Sequence, residues 1–330
     1  MTERSYLEQI PAAAISDTCR DAVSVIINNS GDNSIIGNLE SLCPQRSYKV
    51  YYTEPGIGQL NEVLEMCSQS RIPALTICGK DCNEILDSNI PAGSFVTLIS
   101  PGSGWEDNTL ERLLDKGNIC EFSHIAWQNY FYNPDLLDRT RAKSFEELRL
   151  GLIRKDLTLT EPPIRSSHYI FLDLNSVRVC DYPGNIRKTP NGLYADEICQ
   201  VARYIGMGQN LKAVFIYGFP SESKPDSVST ELAAEILWHI SEALSSNISE
   251  DPSLPGNEDS FLKKIVSMGK EGQDIVFINS SLTGRWWMQI PEVKTSDNLF
   301  IACSYTDYLT ACNGEIPLRW LFFFQKFNNK

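Results

Sequence analysis

An apolar run, Tyr169-Ile-Phe-Leu172, stops at a carboxylate, Asp173, and one residue later at an amide, Asn175. Side chains alternate along a strand, so Asp173 and Asn175 are expected to point the same way at the strand's carboxyl end. In open α/β sheets that end is where ligands bind. Asp173 is either a relic of a lost site or a cap that accepts backbone N–H bonds from the following loop. The short polar side chain before a turn favours the cap. A loop rich in Pro and Gly follows, Asp181-Tyr-Pro-Gly-Asn185, and after it a helix.

Other residue types that do chemistry are sparse. The chain has three histidines, His124, His168 and His239. None is paired at ligand spacing, and there is no His-Glu-x-x-His. Cys78 and Cys82 are four apart with no second pair to complete a zinc site, so they read as buried thiols. Pro101-Gly-Ser-Gly104 lacks the Gly-Lys-Ser/Thr ending of a phosphate loop and reads as an ordinary turn. No Gly-x-Ser-x-Gly elbow is present.

The elements that must position these residues follow from periodicity. Strands are expected near 23–27, 49–53, 72–78, 95–100, 119–127, 148–153, 169–174 and 213–217, and helices at 59–70, 109–115, 195–205 and 228–244. Asn108 is a candidate cap for the 109–115 helix. Strands alternating with helices at this spacing imply parallel βαβ units with helices on both faces. Residues 1–45 are weakly patterned, and 245–260 reads as a polar surface connection. The tail differs in texture, with short strands at 275–280, 286–290 and 299–303 and a final helix at 317–327. Within it, Arg285-Trp-Trp287 is expected to pack in the core rather than form a binding platform. Trp320, Phe323, Phe324 and Phe327 form a stripe expected to dock on the chain's own core, the alternative being a partner-facing helix. Glu146 and Glu147 read as solvated charge.

These motifs resemble the ureohydrolases (arginase, agmatinase and formimidoylglutamase), which have a strand ending Asp-x-Asp, a Pro/Gly loop and then a helix. The resemblance is to the formimidoylglutamase-like branch of Bacteroidetes. It rests on Glu161-Pro-Pro-Ile-Arg165, Pro190-Asn-Gly-Leu-Tyr-Ala-Asp-Glu197, Arg203-Tyr204, Arg285-Trp-Trp287 and Cys303-Ser-Tyr-Thr-Asp-Tyr308, and covers roughly residues 118 to 325. It implies a three-layer α/β/α arginase-like fold with a mainly parallel central sheet and a C-terminal extension. The arginase-like domain is expected over 1–247, and 248–330 as an extension packed on the same core.

The resemblance also implies a hydrolase of guanidino or formimino groups, using hydroxide held between two manganese ions. Its ligands come from Gly-Gly-Asp-His, Asp-Ala-His-x-Asp and Asp-x-Asp at three strand ends. Here the first falls on Gly79-Lys80-Asp81-Cys82, so Cys82 stands for the histidine, or Asp81 if the alignment shifts by one. The second falls on Ser100-Pro101-Gly102-Ser103-Gly104, with no ligand. At the third, Asp173 stays and Asn175 replaces the second aspartate. The family's substrate-contacting glutamate falls on Gly218. One carboxylate and one neutral amide cannot hold two manganese ions. The expectation is therefore a degenerate site with no metal, cofactor or catalytic residue; Asp173, Asn175, Asp81 and Cys82 remain as candidates of a relic pocket. The chain would be a pseudoenzyme acting through a protein partner or self-association, possible as a homo-oligomer. The alternatives are a divergent hydrolase of a linear amidine or guanidino C–N bond, with manganese as its cofactor, and a small-ligand binding module.

The totals set the class. With 330 residues, 42% of them hydrophobic and 22% charged, the chain can bury a sizeable core. A formal net charge of −13 disfavours nucleic acid as a partner. No apolar run is long enough to span a bilayer, and the start lacks a signal core. Ten scattered cysteines without framework spacing read as reduced thiols of a cytoplasmic protein.

Overall fold

Runs such as Val25-Ile-Ile27, Ala74-Leu-Thr-Ile77 and Ile170-Phe-Leu172 are apolar at every position or nearly so, which suits strands covered on both faces. A computed structural model describes residues 6–56, 58–87, 90–103, 108–220, 226–254, 258–268, 273–291 and 298–328. In it these runs lie at the centre of a nine-stranded sheet. The strands are β1 (Leu7–Gln9), β2 (Ser24–Asn28), β3 (Val50–Thr53), β4 (Ala74–Ile77), β5 (Ser94–Ile99), β6 (Ile119–Trp127), β7 (Glu146–Arg149), β8 (Tyr169–Asp173) and β9 (Ala213–Tyr217). Their order is β1-β3-β2-β4-β9-β8-β5-β6-β7, and every neighbouring pair is parallel.

Alternate side chains of each strand feed two separate cores. Ile26, Leu75, Ile170, Leu172 and Val214 pack beneath the helices Ser34–Ser41, Ala195–Gly206 and Ser227–Ser245. Val25, Val96, Leu98, Phe171 and Phe215 pack beneath Leu60–Ser70 and Thr109–Asp115. Gly206 lets two helices touch: a Cβ there would run into the carbonyl oxygen of Ile240. The three layers are those expected, and the sheet is wholly parallel rather than mainly so.

The tail forms a second sheet, β10 (Phe261–Val266), β11 (Ile275–Ser280), β12 (Trp286–Pro291) and β13 (Asn298–Cys303), antiparallel in that order. Its core of Ile275, Phe277, Met288, Ile290 and Ile301 is closed by Trp320 and Phe323 of the last helix, Leu318–Asn328. Both tryptophans of Arg285-Trp-Trp287 pack within the chain: Trp287 is buried and Trp286 stacks on Tyr308. Three cations, Arg165 and Arg319 buried and Lys326 half-buried, tie the main sheet to the tail. Arg165 donates to the Trp286 carbonyl at 2.9 Å, Arg319 pairs with Glu146, and Lys326 meets Glu121 at 2.5 Å. All three contacts lie near the amino ends of β6, β7 and β8, so the tail sits away from the strands' carboxyl ends.

Several expectations need correction. Glu146 and Glu147 are not solvated: Glu146 pairs with Arg319 of the tail, and Glu147 with Arg141 of the helix Pro134–Ala142. The strand expected over 148–153 is β7 followed by the helix Leu150–Ile153. Its partner β6 ends opposite Arg149, so the ladder has nothing to continue on. Asn108 makes no side-chain cap bond. The helix Glu161–Ser166 was hidden by its two prolines, which sit in the first turn where no N–H is required.

Phe323 is 1% exposed in the tail's core, and its ring lies 6.2 Å from Phe95 of the main sheet. Phe323→Ala is expected to cost about 3–5 kcal/mol in urea denaturation. Leu318→Ala, on the same helix but 67% exposed, should stay within about 0.5 kcal/mol.

Candidate functional site

Four strand ends, β4, β9, β8 and β5, stand side by side at the carboxyl rim, and each carries one of the stretches singled out above. β8 stops at Asp173, and the chain turns at once into a 3₁₀ turn, Leu174–Ser176. Asp173 caps that turn. Its Oδ1 accepts the Asn175 backbone N–H at 2.9 Å and the Asn175 side-chain amide at 2.7 Å. The two side chains do meet, but through this turn and not through the pleat, because Asn175 is no longer in the strand.

The amide is committed on its other side as well. Asn175 Oδ1 accepts the Ile186 N–H at 2.7 Å. Asn185 donates its side-chain amide to the carbonyls of Val177, at 2.7 Å, and Asn175, at 3.2 Å. The Pro/Gly loop is thereby folded back on the end of β8. Tyr182 is fully buried beneath it and donates its hydroxyl to the Gly218 carbonyl at 3.2 Å. Burial drives the Tyr182 pKa far up, so this O–H remains a donor.

Gly218 closes the rim from the end of β9. Its φ is +95°, and a Cβ there would stand 2.6 Å from Asp173 Oδ1 and 2.7 Å from Asn175 Nδ2. Backbone therefore covers the Asp173–Asn175 pair where a ligand would otherwise approach. Asp173 itself is 1% exposed.

The other candidates diverge. Asp81 is exposed, and its Oδ1 accepts the Asn83 N–H at 3.1 Å to start the helix Asn83–Asp87. Cys82 is buried, with Sγ 3.6 Å from Thr109 Oγ1. Cys78 is buried too, and desolvation holds its thiol protonated. At the end of β5, Ser100 Oγ meets His124 Nε2 at 2.9 Å, and Tyr132 meets His124 Nδ1 at 3.2 Å. Complete burial lowers the His124 pKa to about 3, so the ring is neutral. Ser103 Oγ accepts the Asn133 N–H at 2.8 Å, whereas Gly104 lies outside the described residues. His168 is at the opposite end of β8, where Nδ1 accepts the Phe95 N–H.

The donor set does not fit a manganese pair. One oxygen of the retained carboxylate, Oδ1, faces two N–H groups, whose positive ends repel a cation, and both ring nitrogens of His124 are engaged. Among the described residues no group of three or more His, Cys, Asp or Glu could hold a metal ion. The pinning by Asn185 and Tyr182 was not anticipated from sequence; the only sign was the compact Tyr182-Pro-Gly-Asn185 turn.

Comparison with known proteins matches this fold. No family model matches the sequence, and no curated protein does. Solved structures do. A formiminoglutamase of Trypanosoma cruzi, crystallised with Mn2+ at pH 8.5, superposes with a TM-score of 0.59 at 14% identity, covering 72% of this chain and 99% of that one. An agmatine ureohydrolase of Thermoplasma volcanium gives 0.55 at 13%, covering 71% and 94%. A formimidoylglutamase of Bacillus subtilis gives 0.51 at 14%, covering 68% and 87%. The chain has the arginase-like fold. Nearly the whole of the first neighbour fits within 72% of it, so the remainder is additional to that fold.

Gly218→Ala forces a side chain into left-handed backbone and against Asp173. It is expected to cost about 1–3 kcal/mol, read as a lower urea midpoint. The depressed pKa of His124 sets a pH dependence. The unfolded chain protonates this ring near 6.5 and the folded chain only near 3, so its contribution is complete above about 6.5 and is lost as pH falls through that window. The His124 ring proton resonances should hold their neutral-imidazole positions down to about pH 4; a midpoint near 6 would contradict the burial.

Proposed function

We propose that this chain is a non-catalytic arginase-fold protein whose work is to bind another protein, in the cytoplasm, either as a monomer or as a homo-oligomer. The observation that carries the first part is the state of Asp173. In a ureohydrolase the equivalent carboxylate would face cations. Here it accepts two N–H bonds from Asn175 and is covered by Gly218. A buried carboxylate satisfied in this way is a structural cap. Removing those donors to admit a metal would leave Asn175 N–H groups unpaired in a buried place, at about 1–3 kcal/mol.

Two further observations support the setting. None of the ten cysteines is in a disulfide, which accords with a reducing compartment. No described helix is long and apolar enough to cross a membrane. The binding role is supported by the tail, which lies apart from the rim and bears much of the exposed apolar surface.

The second reading is a divergent hydrolase of a linear amidine or guanidino C–N bond using manganese. The fold match and the retained Asp173 favour it. It needs the Asn175 turn to open and ligands to move in from elsewhere.

The test is elemental analysis of protein dialysed against Mn²⁺, with assays for urea, formamide and ammonia release from guanidino and formimino substrates. The expected result is manganese well below one equivalent and no turnover above a buffer blank. Stoichiometric manganese with turnover that Asp173→Ala abolishes would establish the hydrolase instead.

A further inference from the structure

Exposed apolar surface is concentrated in the tail. Of the fourteen large apolar side chains that stand exposed among the described residues, nine lie within 248–330, a quarter of the chain. Two of them, Leu262 at 55% and Ile265 at 61%, belong to β10. β10 pairs with β11 on one side, and among the described residues no strand pairs with its other side. An unpaired edge carrying exposed apolar residues is a template for another strand.

A helix stands beside this edge. Tyr305–Cys312 lies against the face of the sheet that carries Leu262 and Lys264: Tyr308 packs on Phe277 at 5.3 Å between ring centroids, and Lys264 Nζ lies 5.7 Å above the Tyr308 ring. On this helix Leu309 is 42% exposed, and Tyr305, 54% exposed, packs on Trp286 of β12 at 5.5 Å between ring centroids. A sheet edge with an apolar helix wall next to it is the geometry by which several peptide-binding domains take an extended segment.

Charge selects the occupant. The centre of β10 reads Leu262-Lys263-Lys264-Ile265, two adjacent cations in a chain of net charge −13. Lys263 is exposed, and among the described residues it has no ion pair. A second copy is disfavoured. Antiparallel pairing of two β10 edges about a two-fold keeps each face continuous, so the registers of fullest overlap set Lys263 or Lys264 against itself. Like charges directly opposed destabilise a ladder. An extended segment with two adjacent carboxylates between apolar residues meets the same edge with opposite charge.

We propose that the free edge of β10, with the helix Tyr305–Cys312 beside it, is the docking groove for an extended acidic segment of a partner protein, which joins the antiparallel sheet as a fifth strand. This rests on the protein-binding part of the reading above and not on its account of the metal site. Main-chain bonds would give affinity, the apolar neighbours of Leu262 and Ile265 would fix register, and carboxylates facing Lys263 and Lys264 would give selectivity.

The experiment is fluorescence anisotropy with a labelled peptide, Ser-Thr-Val-Glu-Glu-Val-Thr-Ser, and its Val-Lys-Lys-Val counterpart, against the full chain. The acidic peptide is expected to bind saturably, more weakly as salt rises. The double variant Lys263→Glu/Lys264→Glu should weaken it by about tenfold or more and take the basic peptide instead. Lys263 is exposed and Lys264 half-buried over Tyr308, so an unchanged melting curve is needed to verify folding. Failure of the acidic peptide to bind, or equal binding by wild type and double variant, would overturn the proposal. So would light scattering that shows a dimer abolished by Leu262→Asp, which would give the edge to a second copy. Metal content and turnover are read separately, so loss of this inference leaves the account of the rim standing, and the converse holds.

Discussion

The carboxyl end of this sheet depends on one oxygen. Asp173 Oδ1 accepts two N–H groups from Asn175, and the proposed reading of the rim rests on that pair. An oxygen with its lone pairs turned to N–H dipoles is stabilised by them, and the same dipoles oppose a cation at that atom. Everything near it follows from that choice. Asn175 is free to bind Ile186, the Pro/Gly loop folds back over Tyr182, and Gly218 brings backbone to within methyl distance of the pair. The fold's usual place for a ligand is thus occupied by the chain's own hydrogen bonds.

The scaffold around the rim is unaltered by this. Nine parallel strands with alternate side chains in two cores need no metal to hold them together. The antiparallel sheet joins at the other end, through buried Arg165 and Arg319 and half-buried Lys326. Each of these cations is hydrogen-bonded within the chain, as burial requires. The two ends therefore differ in character among the described residues: at the rim the Asp173–Asn175 pair is bonded within the chain, and in the tail β10 pairs on one side only.

How much was legible in the sequence varies with the kind of signal. Central strands such as Tyr169–Asp173 and Ala213–Tyr217 were plain because burial on both faces leaves an unbroken apolar run. The long helix Ser227–Ser245 was plain from its period. β10 was not, because an edge strand with Phe261-Leu-Lys-Lys-Ile-Val shows no clean alternation. The burial of Glu146 was not, because its partner Arg319 is distant in sequence and long-range pairs leave no local trace. At the rim, residue types alone raised the expectation that a manganese pair lacks ligands. That Asp173 caps the turn was anticipated as well. The closure by Gly218, Asn185 and Tyr182 depends on three-dimensional approach and could not be read from spacing.

The claim on which the account turns is that the rim does not accept a pair of divalent cations. Electron paramagnetic resonance during a Mn²⁺ titration tests it most directly, since bound and free ions give different spectra. The account predicts that the six-line signal of hydrated Mn²⁺ grows in proportion to added metal from the first addition, as it does in buffer. Loss of that signal over the first two equivalents, with the broad spectrum of a coupled pair in its place, would contradict it.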